Sequence, residues 1–327
     1  MKRLDLVLEG GGARGLGTAG AVIRLLEEGY TFPRAAGTSV GAIAAAFVAA
    51  GLDAAELRQV MEDLDMKKIP DRSTMGVPLL RTGVPLLSEG VSLLRRRGAY
   101  RGDWIHAWIR DVLVQHRVET FADLRREDPG DSADLPDTHK YKLVVTATDV
   151  TRGRLLRLPW DYHLYGLNAD DMHVADAVRM SLSIPCYFEP CVLPNMKTGR
   201  ASVIVDGGVL SNFPVDIFDR IDGHKARWET VGVRILPDLP EAIAELFPLP
   251  TVKLFPLLQH LQHVVTTAVV GNDQSQLDRP EIKARTIAVN LPKLGVTDFR
   301  LSREARQAAV QQGWKAADNH LRVADPG

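Results

Sequence analysis

Gly37-Thr38-Ser39-Val40-Gly41 lies between a short apolar run with Pro33 at its edge and a charge-free, alanine-rich stretch from Ala42 to Ala50. The run before it predicts a strand, and the stretch after it a helix, because alanine has the highest helix propensity. Strand, sharp turn and helix make the context of a G-x-S-x-G nucleophile elbow. In such an elbow the serine occupies a strained turn with its Oγ exposed, and the flanking glycines let strand and helix pack closely. The same five residues would also suit a plain glycine-rich turn with a solvated serine. Two further motifs decide between these.

Upstream, Leu4-Asp5-Leu6-Val7-Leu8 reads as a strand, followed by Glu9-Gly10-Gly11-Gly12-Ala13-Arg14-Gly15 and a helix from about Leu16 to Glu28. Gly10, Gly12 and Gly15 satisfy G-x-G-x-x-G, so dinucleotide binding has to be weighed. The acidic residue that should close a second strand about 20 residues on is absent; Phe32-Pro33-Arg34 and the serine turn stand there instead. The glycine run has a better use. Consecutive glycines at a strand end can turn several N–H groups into one concavity beside the positive end of the next helix, which is an oxyanion hole. The expected donors are the backbone N–H groups over Gly10, Gly11, Gly12, Ala13 and Arg14, together with Val40 after the serine. Gly11, Gly12 and Val40 lead that set. Whether the Arg14 charge acts on the site directly or in a structural ion pair stays open.

Downstream, Ser202-Val203-Ile204-Val205 is a β-branched run that predicts a buried strand ending in Asp206-Gly207-Gly208. A carboxylate at a strand end, with glycines clearing space around it, suits a general base that reaches a nucleophile on a neighbouring strand. Asp-Gly alone is a common turn signal. Together the three motifs form one constellation, each at the end of a strand.

With these residues the chain resembles the patatin-like phospholipase family. The resemblance rests on Gly10-Gly11-Gly12-Ala13-Arg14-Gly15, Gly37-Thr38-Ser39-Val40-Gly41 and Asp206-Gly207-Gly208. Weaker matches are Tyr100-Arg101-Gly102-Asp103, Ala147-Thr148-Asp149, Ser181-Leu182-Ser183-Ile184-Pro185, Phe188-Glu189-Pro190 and Asn212-Phe213-Pro214. It covers roughly residues 4 to 220. It implies an α/β fold, a three-layer α/β/α sandwich with a mainly parallel central sheet. It also implies a Ser39–Asp206 dyad without histidine and hydrolysis of acyl esters of glycerolipids, phospholipids among them.

The residues support a dyad on their own account. A Ser, Asp, His order along the chain would need a histidine after Asp206. The choices are His224 in a polar turn, His260 and His263 three apart in a helix-like stretch, and His320 near the end of a surface helix. None ends a strand. The expected chemistry is therefore acyl transfer through Ser39 with Asp206 as base, water being the acceptor. Transfer to another acceptor, or lipid binding without turnover, are the alternatives.

The 327 residues are 45% hydrophobic and 25% charged, enough for a large core. Motifs spread over the first 208 residues must converge on one sheet, so a single domain over 1–327 is expected, with 221–327 adding C-terminal strands and helices. A net charge of −1, with no basic tract longer than Arg95-Arg96-Arg97, argues against nucleic acid as a partner. Asp5 and Glu9 interrupt the N-terminal apolar run, which is not expected to be a signal peptide. The 18 uncharged residues from Ala35 to Leu52 have nearly transmembrane length, but they contain the elbow and read as strand plus buried helix. Cys186 and Cys191 are too few for a disulfide framework or zinc site and are expected reduced and buried, as in a cytoplasmic protein. No cofactor or metal is expected.

Further helices are predicted from Asp53 to Leu64 with Asp53 as N-cap, from Asp103 to Gln115, and from Ser302 to Leu321. Strands are predicted at Lys142–Ala147 and Arg154–Leu158, as a hairpin, and at Thr230–Leu236 and Arg285–Leu291. Glu127 to Thr138 reads as a surface loop. Within 66–100, Gly76-Val77-Pro78-Leu79-Leu80, Gly83-Val84-Pro85-Leu86-Leu87 and Gly90-Val91-Ser92-Leu93-Leu94 recur every seven residues, just before the three arginines. Three readings stay open for this apolar insert: a loop packed over the cleft, a flap touching a membrane surface, and a homodimer contact. Leu246-Phe247-Pro248-Leu249-Pro250 and Leu254-Phe255-Pro256-Leu257-Leu258 are similar apolar candidates.

Overall fold

A computed structural model describes residues 2–71, 98–126, 136–220, 226, 228–236, 267, 279–291, 294, 295 and 298–324. The Gly-Val-Pro-Leu-Leu repeats with their arginines lie outside the described residues. So do 246–250, 254–258, most of the 127–138 loop, His224, His260 and His263.

The chain begins with β1 (Lys2–Leu8), α1 (Gly15–Glu27), β2 (Tyr30–Thr31), β3 (Ala35–Thr38), α2 (Val40–Ala49) and α3 (Ala54–Asp63). It continues through β4 (Gly98–Tyr100), α4 (Asp103–Gln115), β5 (Leu143–Asp149), β6 (Arg154–Leu158), α5 (Val174–Ser181), β7 (Cys186–Phe188), β8 (Cys191–Leu193) and β9 (Ser202–Asp206). It closes with β10 (Glu229–Leu236), α6 (Pro280–Ala284), β11 (Thr286–Asn290) and α7 (Arg303–Ala324). The main sheet runs β11-β10-β1-β3-β5-β9-β8, with β2 beside β1 and β6 beside β5. Pairs from β11 to β5 are parallel, whereas β5–β6, β5–β9 and β8–β9 are antiparallel. Helices pack on this mixed, mainly parallel sheet to give the expected α/β layering. β4 and β7 form a small parallel pair apart from it.

From β1 the chain steps to β3 and β5 on one side, while β10 and β11 add on the other. The strand order thus switches direction at β1, and in open α/β sheets ligands bind outside the carboxyl ends of the strands at such a point. Burial follows the sheet: every residue of β5 is buried, and so are all residues of α2 after Val40. A helix apolar on every side belongs inside a protein. The uncharged stretch thus becomes β3 plus α2, and no helix among the described residues is long and apolar enough to cross a membrane.

Local chemistry explains several boundaries. Asp53 accepts the Glu56 N–H at 2.9 Å while Glu56 accepts the Asp53 N–H at 2.9 Å, a reciprocal capping box that starts α3. Asp5, fully buried in β1, is held by the Arg34 guanidinium, the pairing a buried charge needs. β5 and β6 form the antiparallel pair expected of a hairpin. α7 crosses α1 backbone to backbone: a Cβ on Gly313 would lie 1.8 Å from the Gly17 carbonyl, and one on Gly20 would lie 2.0 Å from that of Val310. Cys186 is buried as expected, but Cys191 is only half-buried on the edge strand β8; neither forms a disulfide.

Candidate active site

The turn between β3 and α2 carries Ser39 with φ 53° and ψ −127°, a backbone conformation that non-glycine residues seldom adopt. The surrounding backbone enforces it. A Cβ on Gly41 would meet the Leu8 and Glu9 carbonyls at 2.5 and 2.6 Å, and one on Gly37 would meet the Gly41 carbonyl at 2.4 Å. Only glycines allow β3, the start of α2 and the end of β1 to approach this closely. The Ser39 N–H donates to Ser181 Oγ at 2.7 Å.

Asp206 closes β9 and caps the short turn Gly207–Val209. Its Oδ1 accepts the Gly208 N–H at 2.8 Å, and its Oδ2 accepts the Ser39 hydroxyl at 2.6 Å. A Cβ on Gly207 would meet the Thr146 Oγ1 and carbonyl at 2.5 and 2.6 Å, so the glycine lets this turn sit directly on β5. Ser39 is 4% exposed and Asp206 3%. Burial pushes the Asp206 carboxyl up to about 7, against the opposing pull of the hydrogen bonds from Ser39 and Gly208.

The route by which Asp206 reaches Ser39 differs from the sequence expectation. Its strand is not the neighbour of β3; β5 lies between them. The registers make the approach work. Thr38 pairs with Thr146 and Asp206 with Ala147, so Ser39 and Asp206 project from the same level on either side of β5. β9 runs antiparallel and overlaps only the last three residues of β5, which leaves its carboxyl end at that level.

The glycine loop lies against the serine: a Cβ on Gly10 would be 3.1 Å from Ser39 Cβ. Two of the expected oxyanion donors are already engaged. The Gly10 N–H donates to the Asn212 carbonyl at 3.1 Å, and the Arg14 N–H to the Gly11 carbonyl at 3.1 Å. The Arg14 side chain is buried and donates to the Leu294 carbonyl, which gives its charge a structural partner. Among the described residues no acceptor takes the N–H groups of Gly11, Gly12 or Val40. Gly12 has φ +55°, in the left-handed region glycine tolerates, and Ala13 follows it in the short turn Gly12–Arg14 that leads to Gly15 and α1.

Several site residues had no assigned role in the sequence. Ser181 and Ser183 belong to a motif quoted only as a match, as does Asn212. The Ser183 carbonyl accepts the Asp206 N–H at 2.9 Å. Asn212 Nδ2 donates to the Gly10 carbonyl at 3.2 Å and to Glu9 Oε1 at 3.3 Å, while Glu9 Oε2 accepts the Ile235 N–H at 2.5 Å. This chain of bonds ties the glycine loop to β10 and to the segment after Asp206. The one signal for it was a charged residue, Glu9, between a buried strand and a glycine run. Asp149 instead anchors the turn after β5, accepting from the Thr151 and Arg152 N–H groups and from the Tyr165 hydroxyl.

Beside the loop lies a cavity whose lining side chains are all apolar. Its lining includes Gly12, Val40, Leu182, Leu16, Ile43 and Trp108. No described histidine bonds to Ser39 or Asp206. His106 pairs with Asp176 and His163 with the Trp160 carbonyl, while burial on α7 lowers the His320 pKa.

Comparison with known proteins points to one family. The family model of patatin-like phospholipases matches residues 6–219. The uncharacterised protein YqhO of Bacillus subtilis is 40% identical over 234 residues, 72% of this chain and 72% of its own length. The uncharacterised NTE family protein MT2641 of Mycobacterium tuberculosis is 25% identical over 97% of this chain, which spans only 46% of that relative. Among solved structures, VipD from Legionella pneumophila superposes with a TM-score of 0.54 at 20% identity, covering 99% of this chain and 67% of VipD. That likeness concerns the fold.

Proposed function

The chain belongs to the patatin-like phospholipase family and is a hydrolase of that kind; on that premise we propose that it cleaves acyl esters of glycerolipids through a Ser39–Asp206 dyad. One observation carries the proposal: the 2.6 Å hydrogen bond between a strained, buried serine and a carboxylate whose pKa burial raises to about 7. A base titrating near neutrality both accepts and returns a proton readily at working pH.

In this mechanism Asp206 takes the hydroxyl proton as Ser39 Oγ attacks the ester carbonyl. The oxyanion is met by the N–H groups of Gly11, Gly12 and Val40, helped by the positive end of α2. Collapse expels the alcohol, which takes the proton from Asp206 and leaves an acyl-Ser39. Water then attacks the acyl group, Asp206 again accepting the proton. The fatty acid leaves and the proton returns to Ser39. The apolar cavity beside Gly12 and Val40 suits the acyl chain.

The proposal covers one catalytic domain working in the cytoplasm on lipid presented at a surface, and two unpaired cysteines suit a reducing compartment. Phospholipase A or lysophospholipase specificity is tested with a mixed phospholipid extract and mass spectrometry of the products. Free fatty acid with the matching deacylated lipid, lost in Ser39→Ala, is the expected result. Acyl groups moved to another alcohol would make the enzyme a transferase. An unlabelled Ser39 after fluorophosphonate treatment, with no product, would overturn the nucleophile.

A further inference from the structure

The end of α5 touches both halves of the dyad. Ser181 Oγ accepts the Ser39 N–H at 2.7 Å, and two residues on the Ser183 carbonyl accepts the Asp206 N–H at 2.9 Å. Ser181 and Ser183 are fully buried. The two serines use their hydroxyls differently. Ser183 behaves as helical serines commonly do, returning its hydroxyl to the carbonyl four residues back, that of Arg179, at 3.0 Å. Ser181 does not; the hydrogen bond of its side chain goes to Ser39.

The turn is held in place from outside the dyad. Arg179 is buried, and its guanidinium donates to Ser183 Oγ at 2.7 Å, to the Glu189 carbonyl at 3.1 Å and to the Arg101 carbonyl. It thereby fastens the end of α5 to the β7–β8 turn and to the entrance of α4.

The geometry points to Ser181 as the positioning residue of the dyad, the group that pins the left-handed backbone of Ser39 at a fixed distance from Asp206. This rests on Ser39 being the nucleophile. A buried N–H needs an acceptor, and rotation of Ser39 to a relaxed φ would swing its N–H away from Ser181. The bond therefore favours the strained conformer that carries Oγ to Asp206. It also occupies the Ser39 N–H, so the oxyanion must be met by the glycine loop and Val40. Because the Ser183 carbonyl on the same turn holds Asp206, movement of this turn changes both ends of the 2.6 Å contact together.

The test compares two isosteres, Ser181→Thr, which keeps the hydroxyl, and Ser181→Val, which lacks it. For each, the rate of fluorophosphonate labelling at Ser39 and kcat and KM on a short soluble ester are measured per labelled site, beside a thermal melt. Ser181→Val is expected to lose up to about 100-fold in labelling rate and kcat, as a nucleophile displaced by about 1 Å would. Its KM should stay within about twofold and Ser181→Thr within about threefold of the natural protein, since cavity and donors are untouched. If Ser181→Val does not fold, Ser181→Ala, which adds no bulk, is read against Thr in the same way. Equal rates per labelled site in the variants with and without the hydroxyl would overturn the positioning role. Natural protein that fails to label at Ser39 would overturn the nucleophile first, an outcome distinct from the comparison of variants.

Discussion

The Asp206 carboxylate and the Ser39 hydroxyl meet at 2.6 Å although their strands are separated by β5. Two things bring them together: the antiparallel course of β9 and a register that sets Asp206 opposite Ala147, one step past the Thr38–Thr146 pair. Below them the Thr38 and Thr146 hydroxyls are 2.6 Å apart, joining the end of β3 to the middle of β5.

Asp206→Asn keeps the shape but removes the proposed base. Hydrolysis of a soluble ester is expected to fall by about 10²–10⁴-fold, with a cooperative unfolding transition retained. His320→Ala should stay within about tenfold, or 1.4 kcal/mol of barrier. Steady-state kinetics on both variants decides the point; a loss in His320→Ala as large as that in Asp206→Asn would restore a histidine to the mechanism.

The raised Asp206 pKa has two consequences of opposite sign. Under the proposed mechanism activity needs the carboxylate, so kcat/KM should rise with pH to a plateau, with a midpoint near 7. Stability runs the other way. The folded-state pKa lies above the ordinary 3.8, so the native protein binds the extra proton between those values, and this contribution to stability is lost as pH rises through 7. Melting temperatures of the natural protein and Asp206→Asn across pH 4 to 8 check this: the gap between them should open toward the alkaline end.

Gly41→Ala would drive a methyl group to within 2.5 Å of the Leu8 carbonyl, which is backbone and cannot swing aside. The start of α2 must then lift from β1, at a cost of about 1–3 kcal/mol. Thermal unfolding and the rate of fluorophosphonate labelling should fall together. Labelling at the natural rate would mean that the elbow tolerates the displacement.

Gly313→Ala tests whether the C-terminal helix is part of the catalytic unit. Its Cβ would lie 1.8 Å from the Gly17 carbonyl of α1, the helix that follows the glycine loop. A loss of about 1–3 kcal/mol is expected, in a single transition. A separate low-temperature transition in calorimetry, with the main one unmoved, would make α7 an independent element.

The elbow, the glycine loop and the Asp-Gly-Gly turn were legible because each is local. Apolar runs of strand length, glycines at positions that exclude a Cβ and the alanine-rich stretch after Ser39 act over a few residues, and α2 and β9 formed where those patterns placed them. Asp53 as N-cap was legible for the same reason, since a cap involves neighbours in sequence. By itself, then, the sequence determined which residues stand at strand ends, Ser39 just after β3 and Asp206 closing β9 among them.

Tertiary structure alone decided how those ends face one another. Strand order and register arise from packing between residues more than 100 positions apart, such as Thr38 with Thr146, and no local periodicity encodes that β9 pairs antiparallel to β5. Donor availability is likewise decided at a distance. The Gly10 N–H is taken by Asn212 and the Ser39 N–H by Ser181, partners that folding brings in from 202 and 142 residues away. The Asp206 pKa belongs to the same class: the residue type supplies a carboxyl of ordinary acidity, and only burial beneath the assembled sheet ends raises it to about 7.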